Sequence, residues 1–215
     1  MNYLGHFYLA NLTHSSYCGA LLGDFIKGRQ WQHFPRSLQV GILYHRKLDQ
    51  WIDHYSLQLQ LTELFSPEIR RFAPIGLDLF WDYCLANQWT TWHPQALSEF
   101  SLQVYQQLST HQLPDNAQII SQKMRDFDWL QFYQHDVFIE RALRFIAKRL
   151  KKPDELSQLG QEIWQCQEQL NAAFPQIMQQ LFKQLPDWKN AVANQILFPL
   201  SNSANDTFFQ PHLKR

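Results

Sequence analysis

The sequence predicts an all-α protein, a compact multi-helix bundle, and three observations carry that prediction. Long segments place apolar residues at i, i+3, i+4 and i+7, the period of one helix face. Alternating apolar–polar runs and two-residue hairpin signals are absent. The 10 prolines fall between the periodic segments, and only 7 glycines punctuate the 215 residues. A chain of this length holds one sizeable core, so residues 1–185 are read as one helical domain and residues 186–215 as a tail.

Each element has its own reason. Residues 2–12 form a first, nearly all-apolar helix. A second runs from Ser16 to Lys27, with Ser15 or Ser16 as cap and Gly28 as the stop. Pro35 suits the first turn of a long third helix to Tyr55. A short helix follows over residues 57–65, and Pro67 and Pro74 open two more, the second reaching Trp89. Pro94 opens a helix to Thr110, and further helices cover 115–125, 136–150 and 155–184, with Pro175 bending or breaking the last. From Pro186 the composition turns to Asn, Ser and Pro with isolated aromatics, which reads as a disordered or docking tail.

Composition narrows the class. Hydrophobic residues make up 45% and aromatics 15%, which excludes a disordered chain. A net charge of +0 gives no sign of non-specific nucleic-acid binding. Cys18, Cys84 and Cys166 are far apart and odd in number, matching neither a zinc site nor a disulfide framework. The apolar N-terminus lacks a basic leader and is interrupted by His6, Asn11 and His14, so no signal peptide is expected. No apolar run reaches membrane-spanning length. A soluble, cytoplasmic protein is the expectation.

Polar groups at core-facing positions point to chemistry. The third helix presents the stripe Leu38, Gly41, Ile42, His45, Leu48, Asp49, Ile52 and Tyr55, and successive residues turn by about 100°. His45 and Asp49 lie inside that stripe, and Asp53 at its edge. Asp78 and Asp82 stand one turn apart on a helix that is apolar nearly all round. Asp24 follows Leu21 and Ala20, and His6 interrupts the first helix. An unpaired buried carboxylate costs several kcal/mol, so a cation, a hydrogen-bonded cluster or water in a cleft must offset it. Imidazole and carboxylate without thiolate suit Mn²⁺, Mg²⁺ or Fe²⁺; from spacing alone, a metal site and a metal-free polar network both remain open. The doublet His135-Asp136 precedes a helix, where Asp136 reads as an N-cap or first-turn acid.

The motifs MNYLGHFYLA, LLGDFIKG, HRKLDQWID and RRFAPIGLDLFWDYCL, in this order, resemble the acyl carrier protein phosphodiesterase family. The resemblance covers roughly residues 1–185 and is most specific in the first ninety or so. It implies an all-helical fold divergently related to the HD phosphohydrolases. It implies a divalent metal, typically manganese, and hydrolysis of the 4′-phosphopantetheine arm from holo acyl carrier protein. Motif by motif it marks His6, Asp24, His45, Arg46, Asp49, Asp53, Arg71, Asp78 and Asp82. Asp24, His45, Asp49 and His6 are the ligand candidates, and Asp78, Asp53 and Asp82 candidates for orienting water, ligands or arginine. Arg46 and Arg71 are candidates for the phosphate, since a guanidinium fork matches two phosphate oxygens. Where the family pattern often reads Asp-His-Phe-Leu, this chain has Asp82-Tyr83-Cys84-Leu85. The implied macromolecular substrate is acidic, so its recognition falls to basic surface: Lys27, Arg29 and Arg36, or the later cluster Arg141, Arg144, Lys148, Arg149, Lys151 and Lys152. A nucleotide or other small phosphodiester is the alternative substrate, and a non-catalytic helical interaction protein the alternative class.

Overall fold

The computed structural model describes residues 1–198, and among them there is no strand. α1 (Tyr3–Leu12) starts at Asn2, whose side chain accepts from the Tyr3 N–H, and it is buried from Leu4 to Ala10. A helix that apolar belongs at the centre of a bundle, and α1 does pack against three later helices. α2 (Tyr17–Leu22) is capped by Ser16, whose Oγ accepts from the Gly19 N–H at 3.2 Å. It stops at Leu22 and not at Lys27. Beyond it the Ile26 and Gly28 carbonyls are held by a side chain of the next helix, so the segment runs as a loop.

A short 3-10 turn (Gln30–His33) leads to Pro35 and α3 (Arg36–Gln58), the long third helix. Residues 57–72 hold two 3-10 turns, Leu61–Leu64 and Arg70–Phe72, in place of the expected helices at 57–65 and Pro67. α4 (Ala73–Asn87) has Pro74 in its first turn and is buried on almost every side. α5 (Trp89–Trp92), α6 (Leu97–Ser109), α7 (Asp115–Asp126) and α8 (Trp129–Phe132) follow. α9 (Asp136–Leu150), α10 (Pro153–Gln165) and α11 (Gln167–Leu197) complete the described chain.

The helix expected over 155–184 is therefore two, divided at Cys166, while Pro175 and Pro186 both lie inside α11. A proline inside a helix costs about 3 kcal/mol. Phe174, Ile177, Met178 and Leu181 are fully buried around Pro175, and each contributes about 1.5–3 kcal/mol of burial. Packing outweighs the lost hydrogen bond, so the helix continues. It reaches Leu197, past the Pro186 at which the tail was expected to begin; residues 199–215 lie outside the described residues.

α1 packs against α2, α3 and α4, α11 lies along α3, and α9 and α10 pair over α4. The tightest contact joins α2 to α3. A Cβ on Gly19 would stand 2.5 Å from the Leu38 carbonyl oxygen, and one on Gly41 2.6 Å from that of Ser16. Only paired glycines let these backbones touch. No helix among the described residues is long and apolar enough to cross a membrane. Cys18, Cys84 and Cys166 are free and buried.

Candidate metal centre

Three elements meet beside that contact. α3 supplies His45 and Asp49 one turn apart, α1 supplies His6, and the loop after α2 supplies Asp24. His6 Nε2 lies 3.1 Å from Asp49 Oδ1, His45 Nε2 lies 3.2 Å from Asp49 Oδ2, and His45 Nε2 lies 3.7 Å from Asp24 Oδ1. The two imidazoles are stacked, centroids 3.6 Å apart and planes 12° from parallel. One ligand atom from each of His6, His45 and Asp49 falls within 4.8 Å of the others, a spacing that suits one cation.

The protonation pattern follows from the contacts. His45 Nδ1 stands 2.7 Å from the Ala20 carbonyl oxygen. A carbonyl only accepts, so Nδ1 carries the proton and, in the neutral ring, Nε2 presents a lone pair. That lone pair faces the Asp49 carboxylate, acceptor against acceptor. His45 Nε2 and His6 Nδ1 are both buried without a hydrogen-bond partner, a situation that costs about 1–3 kcal/mol per group. A second proton on His45 would satisfy Nε2 but place an imidazolium against the His6 ring. Burial, and then the proximity of His45, already hold the His6 pKa down at about 4. A divalent cation would accept the His45 Nε2 lone pair and the Asp49 carboxylate with a His6 ring nitrogen in reach, so the donor set fits one.

Burial alone would raise the Asp49 carboxyl; His45 and His6 hold it well below the usual carboxylate range. The acid is thus ionised and ready to ligate at neutral pH. The imidazole side chains are 3% and 2% exposed, Asp49 30% and Asp24 18%. The centre therefore opens to solvent on its carboxylate side, where a ligand would enter.

Glycine and arginine set this geometry. A Cβ on Gly23 would stand 2.1 Å from His45 Cγ and 2.4 Å from Cδ2, so the chain leaving α2 lies directly on the ring. Arg46 donates from Nη1 to the Gly28 carbonyl and from Nη2 to that of Ile26, both at 2.7 Å. Its fork thus clasps the loop that carries Asp24.

The remaining candidates are placed around the centre. Asp78 takes an ion pair from the Met1 ammonium. Burial lowers that amine's pKa, but Asp78, Asp49 and Asp82 together raise it, which puts these carboxylates in one neighbourhood. Asp82 is fully buried and accepts from Asn2 N at 3.0 Å, Leu4 N at 2.7 Å and Gly5 N at 3.1 Å. These are the orphan donors of a helix start, so α4 caps α1 and fixes the helix that bears His6. Asp53 sits half-buried one turn beyond Asp49. Arg71 is 66% exposed, lies 3.8 Å from Glu155 and stacks over Phe72 at 4.7 Å. Tyr83 packs against Phe80 and Trp164. Asp136 is a first-turn acid of α9 whose Oδ1 accepts from the Val137 N–H at 2.6 Å, and the site does not use the doublet. The sequence reading missed Gly19, Gly23, Gly41 and the Ala20 carbonyl; only a glycine spacing in GALLGD and VGIL hints at them.

Asp82 makes a pH prediction. Burial pushes its carboxyl up to about 7, against the pull of the Met1 ammonium and the three N–H donors. The unfolded value is about 3.9. The stability it contributes is fully present below about pH 4 and is lost as pH rises through about 7. The stability difference between wild type and Asp82→Asn, measured by urea unfolding without added metal, is expected to shrink across that window. A difference independent of pH would overturn the assignment.

A helical bundle with an interior histidine–carboxylate cluster, its carboxylates partly exposed, defines a candidate site for a metal ion. The family model described as acyl carrier protein phosphodiesterase matches residues 1–181, and the chain belongs to that family. Curated relatives named acyl carrier protein phosphodiesterase agree. The one from Enterobacter sp. (strain 638) is 35% identical over 167 residues, 76% of this chain and 86% of its own. The one from Klebsiella pneumoniae (strain 342) is 34% identical over 186 residues, 83% and 96% of the two chains. The one from Escherichia coli O6:H1 is 36% identical over 160 residues, 73% and 82%. No solved structure matches.

Proposed function

We propose that the protein hydrolyses the phosphodiester between 4′-phosphopantetheine and holo acyl carrier protein, with a divalent cation, manganese first, held by His6, His45, Asp49 and Asp24. The observation that carries the metal is the His45 Nε2 lone pair aimed at an ionised Asp49 beneath a stacked His6. The family carries the substrate. When bound, such a cation supplies positive charge to the phosphoryl oxygens and lowers the pKa of a water.

The chain's own groups do the rest. The Ala20 carbonyl locks the His45 tautomer, Asp82 holds α1 so that His6 stays over His45, and Arg46 keeps Asp24 in reach. Asp78, paired with the Met1 ammonium in the neighbourhood of Asp49, would orient the attacking water, and Asp53 stands one turn beyond Asp49 on α3. Water adds to phosphorus, the bond from phosphorus to the serine oxygen breaks, and that oxygen takes up a proton. Apo carrier protein and 4′-phosphopantetheine result.

Incubation with Mn²⁺ and holo acyl carrier protein, followed by mass spectrometry of the carrier, tests this. Loss of the phosphopantetheine mass is expected with metal and not with chelator. Hydrolysis confined to small phosphodiesters would overturn the substrate, and equal turnover in chelator would overturn the metal.

A further inference from the structure

We propose that the outward face of α9 is the docking surface for an acidic face of acyl carrier protein, with Phe145 as an apolar anchor among Arg141, Arg144, Lys148 and Arg149. This rests on the functional reading above, which supplies the partner. The orientation of α9 is fixed from the other side, where Ile139, Leu143 and Ala147 are buried at 0%, 2% and 5% exposure. The four basic residues and Phe145 are then all exposed, Phe145 at 62%. They lie three, four, seven and eight residues apart, which is one helical stripe.

Two simpler explanations fail. Basic residues near a helix C-terminus are favoured by the dipole, but that effect is confined to the last turn. Arg141 and Arg144 stand in the first nine residues of a fifteen-residue helix, and Phe145 gains nothing from a dipole. Intramolecular ion pairing does not account for the face either. Among the described residues the nearby surface pairs are Arg125–Asp126, Lys152–Glu155 and Arg71–Glu155, and none involves these four cations. The face is a positive strip around one exposed ring, with no ion pair to its four cations among the described residues, in a chain of net charge +0. An acidic partner with a small apolar patch complements it. A lipid surface fits less well, because an interfacial helix buries a whole apolar face in the headgroups and here that face is already spent on the core.

A relay of ring contacts also links the base of α9 to α1, the helix that bears His6. Phe138, in the first turn of α9, packs 4.7 Å from the Tyr133 ring and 6.4 Å from that of Trp129. Trp129 in turn lies 6.2 Å from Tyr3, one turn before His6 on α1. From Phe138 to Phe145 the helix rises about 10 Å.

The test uses fluorescently labelled apo carrier protein, which lacks the scissile arm, so that binding by anisotropy is read apart from turnover of holo carrier with Mn²⁺. Arg144→Glu/Arg149→Glu is expected to weaken binding by about 10-fold or more and Phe145→Ser by about 3- to 10-fold, with the turnover loss appearing in KM. Added NaCl should weaken wild-type binding steeply and the charge-reversed variant little. Variant affinities equal to wild type, or no binding by the wild type, overturn the proposal. So does a shift of the effect to anionic phosphatidylglycerol vesicles, with wild type pelleting and the variants not, while carrier affinity stays constant. Binding that depends on α9 in a protein that releases no phosphopantetheine would leave the docking surface standing and bring down the catalytic reading instead.

Discussion

His45→Ala is expected to lower Mn²⁺-dependent release of phosphopantetheine by at least about a thousandfold, the scale of losing an essential catalytic group. His45 is the hinge of the candidate centre: its Nδ1–H is held by Ala20, its Nε2 faces Asp49 and Asp24, and its ring carries His6. Removing it deletes one candidate ligand and unseats another. Stability is a poor reporter of this change, because a buried large-to-small substitution costs about 2–4 kcal/mol for any reason. Asp49→Asn separates the two effects. The amide keeps the shape, and its NH₂ donates to the His45 Nε2 that otherwise faces an acceptor. Without metal, Asp49→Asn is therefore expected to melt at or above the wild-type temperature. With saturating Mn²⁺ the wild type should gain about 2.7 kcal/mol at 100 times Kd, and Asp49→Asn nearly none. Calorimetric melting with and without Mn²⁺ checks this. A metal-induced shift that survives Asp49→Asn would show that the cation binds elsewhere.

What was legible in the sequence, and what was not, follows from the kind of signal each residue gives. His45 and Asp49 break an apolar stripe at helical spacing, so periodicity alone puts them together on one buried face. His6 does the same on a helix that is otherwise wholly apolar. Asp24 was placed by extending a helical count through LLGDFIKG, whereas α2 ends at Leu22 and the residue arrives on a loop. It reaches the centre all the same, because the loop is clasped by Arg46. A carboxylate on the apolar α4 is an ambiguous signal. Holding a cation and capping the start of a neighbouring helix both demand an acid in a dry place, and Asp82 is seen capping α1. The break at Cys166 carries no breaker residue, while the two prolines of α11 sit where burial overrides them. Tertiary packing decides both, and no local pattern records it.

Gly23→Ala is expected to cost as much function as loss of a ligand, although the side chain added is a single methyl. The backbone at Gly23 has φ −52° and ψ −34°, a conformation any L residue adopts. On propensity alone, alanine would be favoured there by about 1 kcal/mol. The sign is set instead by the His45 ring, since the new Cβ would lie 2.1 Å from Cγ, 2.4 Å from Cδ2 and 2.6 Å from Cβ. The ring cannot swing aside without leaving both the Ala20 carbonyl and the His6 stack. Overpacking of this kind costs about 1–3 kcal/mol, and misplacing a reacting geometry by about 1 Å costs about a hundredfold in rate. Gly76→Ala is the control: its Cβ would meet the Ile163 Cδ1 at 2.7 Å, the far end of a flexible side chain remote from the centre, and Mn²⁺ affinity should not change. A double-mutant cycle gives the sharper reading. In a His45→Ala background the ring contacts at 2.1 and 2.4 Å are gone and only the Cβ contact at 2.6 Å remains, so the destabilisation should fall and the two changes should be strongly non-additive. Additive penalties, or a Gly23→Ala protein that keeps wild-type Mn²⁺ affinity and turnover, would mean that the ring is not held where the metal requires it.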